Sequence, residues 1–425
     1  MRIFCSGIGG IGLSAYAAHV RALDHTVSGT DKAESEITLS LKSLGIDVTL
    51  VQDGSAVPSD AELFVYSEAV PPDSPERLKA AELGIRQISY FAALGELTKG
   101  KDLICICGTH GKSSTTAMAA KVFIDAGLDP NVVVGTKTAD LGGTNWRRGK
   151  GDLWIIEACE YRRSFLHLSP KTVLVTNTDG DHFDSFKDMA DYESAFVEFL
   201  SSLPKEGSVI AHGGDTKTTD IVKRAGKTLI DADSELLPML TIPGVHMQQN
   251  AQLVMALAKL RTIDPAKAQE ALLKFSGSWR RMELKGDTRL GVTVIDDYAH
   301  HPTEIRATIA AIKAAYPDRR LVCVFEPHTN DRTLKLWKEF TTSFSGANLV
   351  LVTKVFDARP DKDTEQADVA RLAAEIGRTS KVSCRPSGTL GKTKNTLDTL
   401  LMNDDVLLVM GAGNSTKLAA AMVTP

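Results

Sequence analysis

The chain has 425 residues, 43% of them hydrophobic and 24% charged, a globular balance that excludes a single small module and wholesale disorder, and at roughly 150 residues per domain it should hold about two to four domains. Its 49 Lys and Arg against 53 Asp and Glu leave a net charge of -4, without the basic excess that nucleic-acid binding requires. No stretch approaches about 18 consecutive apolar residues, and MRIFCSGIGG opens without a charged region ahead of an apolar core, so the chain reads as soluble, unexported and cytoplasmic, with no membrane partner.

In chain order, short apolar runs go from Arg2 to Cys5, Leu63 to Ser67, Leu103 to Cys107, Trp154 to Glu157, Val173 to Thr176, Val292 to Asp296, Leu321 to Phe325, Leu349 to Thr353 and Val406 to Met410. Each is followed by a loop and a helix-like segment. Strands alternating with helices predict an α/β fold of largely parallel, helix-covered sheets. Gly-bearing turns and charged patches near Thr98 to Asp102 and near Lys285 to Gly291 mark two boundaries. The expected domains are 1–98, 99–284 and 285–425. The six cysteines, Cys5, Cys105, Cys107, Cys159, Cys323 and Cys384, are scattered, several inside these runs. They read as buried reduced thiols, and the C-x-C pair lacks the partners that zinc needs.

The first run leads into Gly7, Ile8, Gly9, Gly10, Ile11 and Gly12, and then into LSAYAAHVRAL, whose apolar positions recur at helical spacing. Strand, glycine turn and helix start together suit a nucleotide diphosphate, because the backbone can approach a pyrophosphate and the helix start offers free N–H groups. Asp31, at the end of the next strand, suits a ribose hydroxyl. Alone, the motif reads as NAD or FAD binding, with a plain tight turn as the lesser alternative.

A second loop, LICICGTHGKSSTT, sets Gly108, Thr109, His110, Gly111, Lys112, Ser113 and Ser114 between a strand and the helix-like AMAAKVFIDAG. Backbone N–H groups around Gly111 can cradle phosphate oxygens, Lys112 can reach the β- and γ-phosphates, and the Ser113 hydroxyl can ligate Mg²⁺. Ile106 breaks the full phosphate-loop pattern, so the loop is a shortened version. Glu157 ends the strand WIIE and His182 follows the strand VLVTN, at the sheet edge where ligands bind, and with Ser113 they form a hard-metal set. Glu160 is a second carboxylate candidate. Beyond the second boundary, Tyr298, His300 and His301 follow a strand ending in two acids, and His328 and Arg332 follow another. Arg332 suits a carboxylate held by two parallel N–H bonds.

GIGGIG with SGTD, then GTHGKSS, EACE, NTDGDHFD, DDYAHHPTEI, EPHTNDRT and MGAG, spread in this order over essentially the whole chain, resemble the Mur ligase family. The motifs look nearest its alanine-adding branch. The resemblance implies three domains, Rossmann-like, P-loop ATPase and Rossmann-like in turn. It also implies ATP-dependent ligation of L-alanine to the carboxylate of UDP-N-acetylmuramate through an acyl phosphate, in peptidoglycan precursor synthesis. ATP is then the cosubstrate, Mg²⁺ occupies two sites, and the chain works as a monomer or weak homodimer on small molecules. Because an acyl phosphate hydrolyses in water, the domains are expected to close before chemistry.

By the same resemblance, Lys112, His182, Glu157 and Arg332 are the catalytic candidates, with Ser113, Glu157 and His182 on the metal. ATP falls to residues 108–114 with His246, Asn250 and Arg280. The nucleotide sugar falls to residues 7–12, Asp31 and Ser67, and the amino acid to Tyr298, His300, His328 and Arg332. Cys159, Tyr161, Arg162, Met247 and Asn414 depart from the family pattern. Other readings stand beside this one: a tripeptide-adding ligase of the same family, a Rossmann NAD or FAD oxidoreductase resting on GIGGIG and Asp31, and a non-catalytic nucleotide-binding module.

Overall fold

The computed structural model describes residues 1–181, 185–357 and 365–423. Among them the strands form three sheets, each fed by aliphatic runs and covered by the helices that connect them. The first contains β1 (Arg2–Ser6), β2 (Thr26–Thr30), β3 (Asp47–Thr49), β4 (Leu63–Tyr66) and β5 (Arg86–Ser89), in the order β3-β2-β1-β4-β5. All its pairs are parallel. The order reverses between β1 and β4, which opens a crevice at their carboxyl ends; the glycine loop leaves β1 there and Ser67 follows β4.

The second sheet contains β6 (Asp102–Cys107), β7 (Asn131–Thr138), β8 (Thr144–Arg147), β9 (Leu153–Glu157), β10 (Thr172–Val175), β11 (Ser208–Ala211) and β12 (Leu229–Asp231). Their order is β12-β11-β10-β6-β9-β7-β8, and β8 alone runs antiparallel to its neighbour. The third contains β13 (Glu283–Asp287), β14 (Thr293–Asp297), β15 (Leu321–Phe325), β16 (Leu349–Thr353), β17 (Ser383–Gly388) and β18 (Val406–Met410). Its order is β13-β14-β18-β15-β16-β17, with β13 antiparallel. β13 straddles the second predicted boundary.

Contacts group the chain into two compact units, residues 1–179, 189–238 and 251–275 in one, and 180–188, 239–250 and 276–425 in the other. In the first, the N-terminal and central sheets are joined by specific bonds. Asn145 Nδ2 donates to the Ile11 carbonyl, and Lys137 Nζ pairs with Glu36 at 2.7 Å. His19, on the helix Ile11–Ala22, lies 3.1 Å from the Val132 carbonyl oxygen, with Trp146 and Trp154 against its ring.

In the second unit, local sequence sets the helix Pro302–Ala315. His301 Nδ1 accepts from the Thr303 N–H, Glu304 closes a capping box, and Pro302 takes the first turn, where its missing donor costs nothing. Ile305, Ile309 and Ile312 then recur on one face and pack with Phe325, Phe340 and Phe344 in a buried cluster. Burying each such side chain contributes about 1.5–3 kcal/mol, so truncating Ile309 would loosen the face that supports the carboxyl edge of the sheet. Cys5, Cys105, Cys107 and Cys323 are buried free thiols. Among the described residues, no helix is long and apolar enough to cross a membrane.

Candidate active site

The first glycine loop closes tightly. Gly7 and Ile8 donate to the Thr30 carbonyl at 2.9 Å, and Gly10 N–H returns to the Gly7 oxygen at 3.1 Å. Asp31, expected on a ribose, receives the Gly9 N–H on one oxygen and the Lys32 N–H on the other, each at 2.8 Å. A Cβ on Gly9 would sit 2.8 Å from the Asp31 carboxylate and push it from its place. Gly12 begins the helix against Tyr90, and the Ser67 N–H donates to Ser6 across the crevice at 3.0 Å. The loop residues, Asp31 and Ser67 are thus brought together. Glu76, which nothing in the sequence marked, is buried at the same edge and accepts from Ser6 Oγ and Thr30 Oγ1.

The second loop is built on β6 and tied to the segment after β10. Thr109 N–H donates to the Asn177 carbonyl at 3.0 Å, His110 N–H to Asn177 Oδ1 at 3.0 Å, and Thr109 Oγ1 lies 2.7 Å from the Tyr192 hydroxyl. Gly108 has φ +132°, and a Cβ there would meet Thr176 Oγ1 at 2.2 Å. Backbone N–H groups of such a loop and the start of the helix Lys112–Asp125 suit phosphate oxygens. Ser114 is buried in the first turn of that helix, and His110 Nε2 lies 3.6 Å from Asp179 Oδ2.

Lys112 Nζ donates to the Gly108 carbonyl at 2.5 Å and to the Thr109 carbonyl at 3.1 Å, and it is 3.0 Å from Glu160. Burial opposes its charge, but the carboxylates of Glu160 and Glu157 outweigh that and hold the ammonium above the usual lysine range. Burial pushes the Cys159 thiol up to about 12, so it is an inert neighbour.

Glu157 ends β9. It accepts from Ser113 Oγ at 3.0 Å on one oxygen and from the Gly135 N–H at 2.6 Å on the other. Two cis oxygen ligands of octahedral Mg²⁺, each at about 2.0–2.1 Å, stand about 3 Å apart, so the Ser113–Glu157 pair fits that ion. His182, the third predicted ligand, lies outside the described residues.

In the other unit, rings and a guanidinium converge beyond β14 and β15. The Tyr298 and His300 rings are 5.2 Å apart, and those of His300 and His328 are 5.6 Å apart. Arg332 Nη1 donates to His328 Nδ1 at 2.8 Å, while Nε and Nη2 donate to the two oxygens of Asp181 at 3.0 and 3.1 Å. Of the adjacent histidines, His301 caps a helix and His300 joins the rings. Asp297 accepts from the Met282 and Ala299 N–H groups, and burial pushes its carboxyl up to about 6 against Arg281 and those donors.

Arg280, expected on ATP, is buried in this unit. It donates to the carbonyls of Gly411 and Gly413 and to Ser415 Oγ, 3.5 Å from Asp296. Here it holds the MGAG turn together. His246 and Asn250 open the helix Val245–Leu260, and burial lowers the imidazole's pKa, with Glu304 and Arg281 as its charged neighbours. Met247, where the family has asparagine, is buried. The pairings Lys112–Glu160 and Arg332–Asp181 escaped the sequence reading; the only signal was an excess of acids around EACE and NTDGD.

The chain is similar to known proteins over nearly its whole length. The chain matches the Mur ligase family, catalytic domain, over residues 3–102, the Mur ligase middle domain over 106–235, and the Mur ligase, glutamate ligase domain, over 280–413. A UDP-N-acetylmuramate--L-alanine ligase of Clostridium kluyveri is 36% identical over 437 residues, covering 96% of this chain and 94% of that protein. One of Persephonella marina is 35% identical, covering 97% and 94%. The solved structure of UDP-N-acetylmuramate-alanine ligase from Thermotoga maritima superposes with a TM-score of 0.83 at 26% identity, covering 100% of this chain and 98% of that one. A murein peptide ligase of Psychrobacter arcticus shares the fold, with a TM-score of 0.75 at 22% identity over 100% of both chains. With the matches running through all three sheets and both glycine loops, the chain belongs to the Mur ligase family.

Proposed function

We propose that this chain joins L-alanine to the carboxylate of UDP-N-acetylmuramate at the expense of ATP, a step of peptidoglycan precursor synthesis. The observation that carries the reading is the whole-length identity to ligases named for that reaction, 36% over 96% of the chain. The loop with Lys112, Ser113 and Glu157 at one sheet edge supports it, since a nucleoside triphosphate needs such a cradle and an oxidoreductase does not.

The working domains are 1–98 for the nucleotide sugar, 99–284 for ATP and 285–425 for the amino acid. A carboxylate oxygen of the sugar attacks the γ-phosphorus, the bond to the β,γ-bridging oxygen breaks, and ADP leaves with that electron pair. The Lys112 ammonium offsets charge on the transferring group, and the loop N–H groups hold the phosphates. Ser113 and Glu157 would hold Mg²⁺, which when bound supplies positive charge against the phosphate oxygens. The amine of alanine, its proton lost, attacks the acyl carbon of the resulting acyl phosphate and inorganic phosphate departs. Arg332 holds the alanine carboxylate beside His328, His300 and Tyr298, after exchanging it for Asp181. Residues 7–12 and Ser67 hold the diphosphate and uridine side of the sugar, with Asp31 shaping that loop, and His246 and Asn250 serve the nucleotide base. The chain acts in the cytoplasm as a monomer or weak homodimer.

The test is ADP release with UDP-N-acetylmuramate against a panel of amino acids. L-Alanine should far exceed the rest, and a tripeptide should not replace it. Equal rates across the panel would refute the alanine assignment.

A further inference from the structure

Lys112 already has partners where a phosphate is expected to be. Its Nζ donates to the Gly108 and Thr109 carbonyls at 2.5 and 3.1 Å and lies 3.1 and 3.0 Å from the two oxygens of Glu160. An ammonium carries three N–H donors, so these acceptors satisfy it. The Glu160 side chain is 0% exposed and that of Lys112 13%, so water screens the pair little. One short segment thus carries two carboxylates with different tasks: Glu157 meets the Ser113 hydroxyl and Glu160 meets the Lys112 ammonium.

We propose that Glu160 is a positioning residue for phosphoryl transfer, which competes with ground-state phosphate oxygens for the Lys112 ammonium and yields as negative charge builds on the transferring group. This rests on the reading that the loop of residues 108–114 binds ATP. A lysine without a rival binds ground state and transition state alike, which lowers KM without raising kcat. A buried counter-ion weakens the ground-state contact and leaves the transition state, with its greater charge at the reacting oxygens, to prevail. The Gly108 and Thr109 carbonyls, which accept from Lys112 Nζ, hold the ammonium at the loop where that exchange takes place.

Calorimetry with Mg-ADP, and phosphate release with UDP-N-acetylmuramate and L-alanine, test this on the full chain. Glu160→Gln keeps the shape and removes the charge; it should bind Mg-ADP about 5-fold more tightly and lose about 10-fold in kcat, so that kcat and the KM for ATP fall together. Glu160→Asp, with the charge retracted by one methylene, should move both readouts the same way by about 2-fold, and it decides the matter if the glutamine variant does not fold. Unchanged or weaker ADP binding in the variants overturns the proposal. So does a fall in kcat with a raised KM, the mark of a merely structural carboxylate. If the unaltered chain binds no Mg-ADP, the ATP reading falls and this proposal with it.

Discussion

Arg332 and Asp181 form a two-pronged ion pair, Nε to Oδ1 at 3.0 Å and Nη2 to Oδ2 at 3.1 Å, with both side chains less than one-tenth exposed. The fork that should hold the alanine carboxylate therefore already holds a carboxylate of the chain itself. On the proposal that Arg332 holds the amino acid, an incoming carboxylate displaces Asp181, so two substitutions should move the KM for alanine in opposite directions. Arg332→Lys, which replaces the fork by a point charge, should raise the KM for L-alanine about 10-fold or more. Asp181→Asn, a poorer rival for the guanidinium, should lower it about 3-fold. Steady-state phosphate release at saturating ATP measures both, and matching shifts in the same direction would remove Arg332 from the amino-acid site.

Lys112 and Glu160 differ in what their loss should do to folding. Lys112→Met keeps the aliphatic stem and removes the charge, leaving a buried carboxylate without its cation, at a cost of about 3–5 kcal/mol. Turnover should fall about 10²- to 10³-fold, as for other donors aimed at transition-state charge. Combining it with Glu160→Gln should recover most of the melting temperature and none of the activity. Thermal denaturation beside an ADP-release assay reads both; a double variant no more stable than Lys112→Met would mean that the pair contributes little to the fold.

Much of this was legible in the residues. At Gly108 both the backbone and its neighbours exclude a Cβ, and at Gly9 the Asp31 carboxylate crowds one, so phosphate loops announce themselves by glycine spacing. Central strands such as β6, β15 and β18 are buried on both faces and read as unbroken apolar runs. Edge strands do not: β13 is ELKGD and β17 is SCRPSG, half exposed and interrupted by glycine or proline. The ion pairs were the least legible, since Lys112–Glu160 joins residues 48 apart and Arg332–Asp181 residues 151 apart. No periodicity encodes such a pairing; the folding of the sheets brings it about. The same holds for His301 and His300, adjacent in sequence, of which one caps a helix and the other faces His328.

His19 gives the contact between the N-terminal and central sheets a pH dependence. Burial, with Arg148 adding to it and the Val132 carbonyl opposing, lowers the imidazole from 6.5 to about 4. The unfolded chain therefore binds a proton that the folded chain refuses between those values. The stabilisation is complete above about pH 6.5 and is lost progressively as pH falls toward 4, by about 3 kcal/mol in all. His19→Gln, which can still donate to Val132, should flatten this part of the curve. Melting temperatures at pH 7.5 and pH 5 compare the two proteins, and an equal drop in both would assign the acid sensitivity elsewhere.

Glu157 should govern the requirement for magnesium. Its Oε1 lies 3.0 Å from Ser113 Oγ, and its Oε2 is fixed by the Gly135 N–H, so the carboxylate cannot swing away to share the ion with another group. Glu157→Gln preserves the bond to Ser113 but substitutes a neutral oxygen, a weak donor for a hard dication. Half-saturating Mg²⁺ should rise about 10-fold or more, while Mg-free ADP binds no more weakly than in the unaltered protein, because the loop N–H groups and Lys112 are untouched. A chelator titration of the ligase reaction, paired with calorimetry of ADP without metal, separates the effects. Weakened metal-free ADP binding would show that Glu157 shapes the loop itself, and its place on the ion would have to be given up.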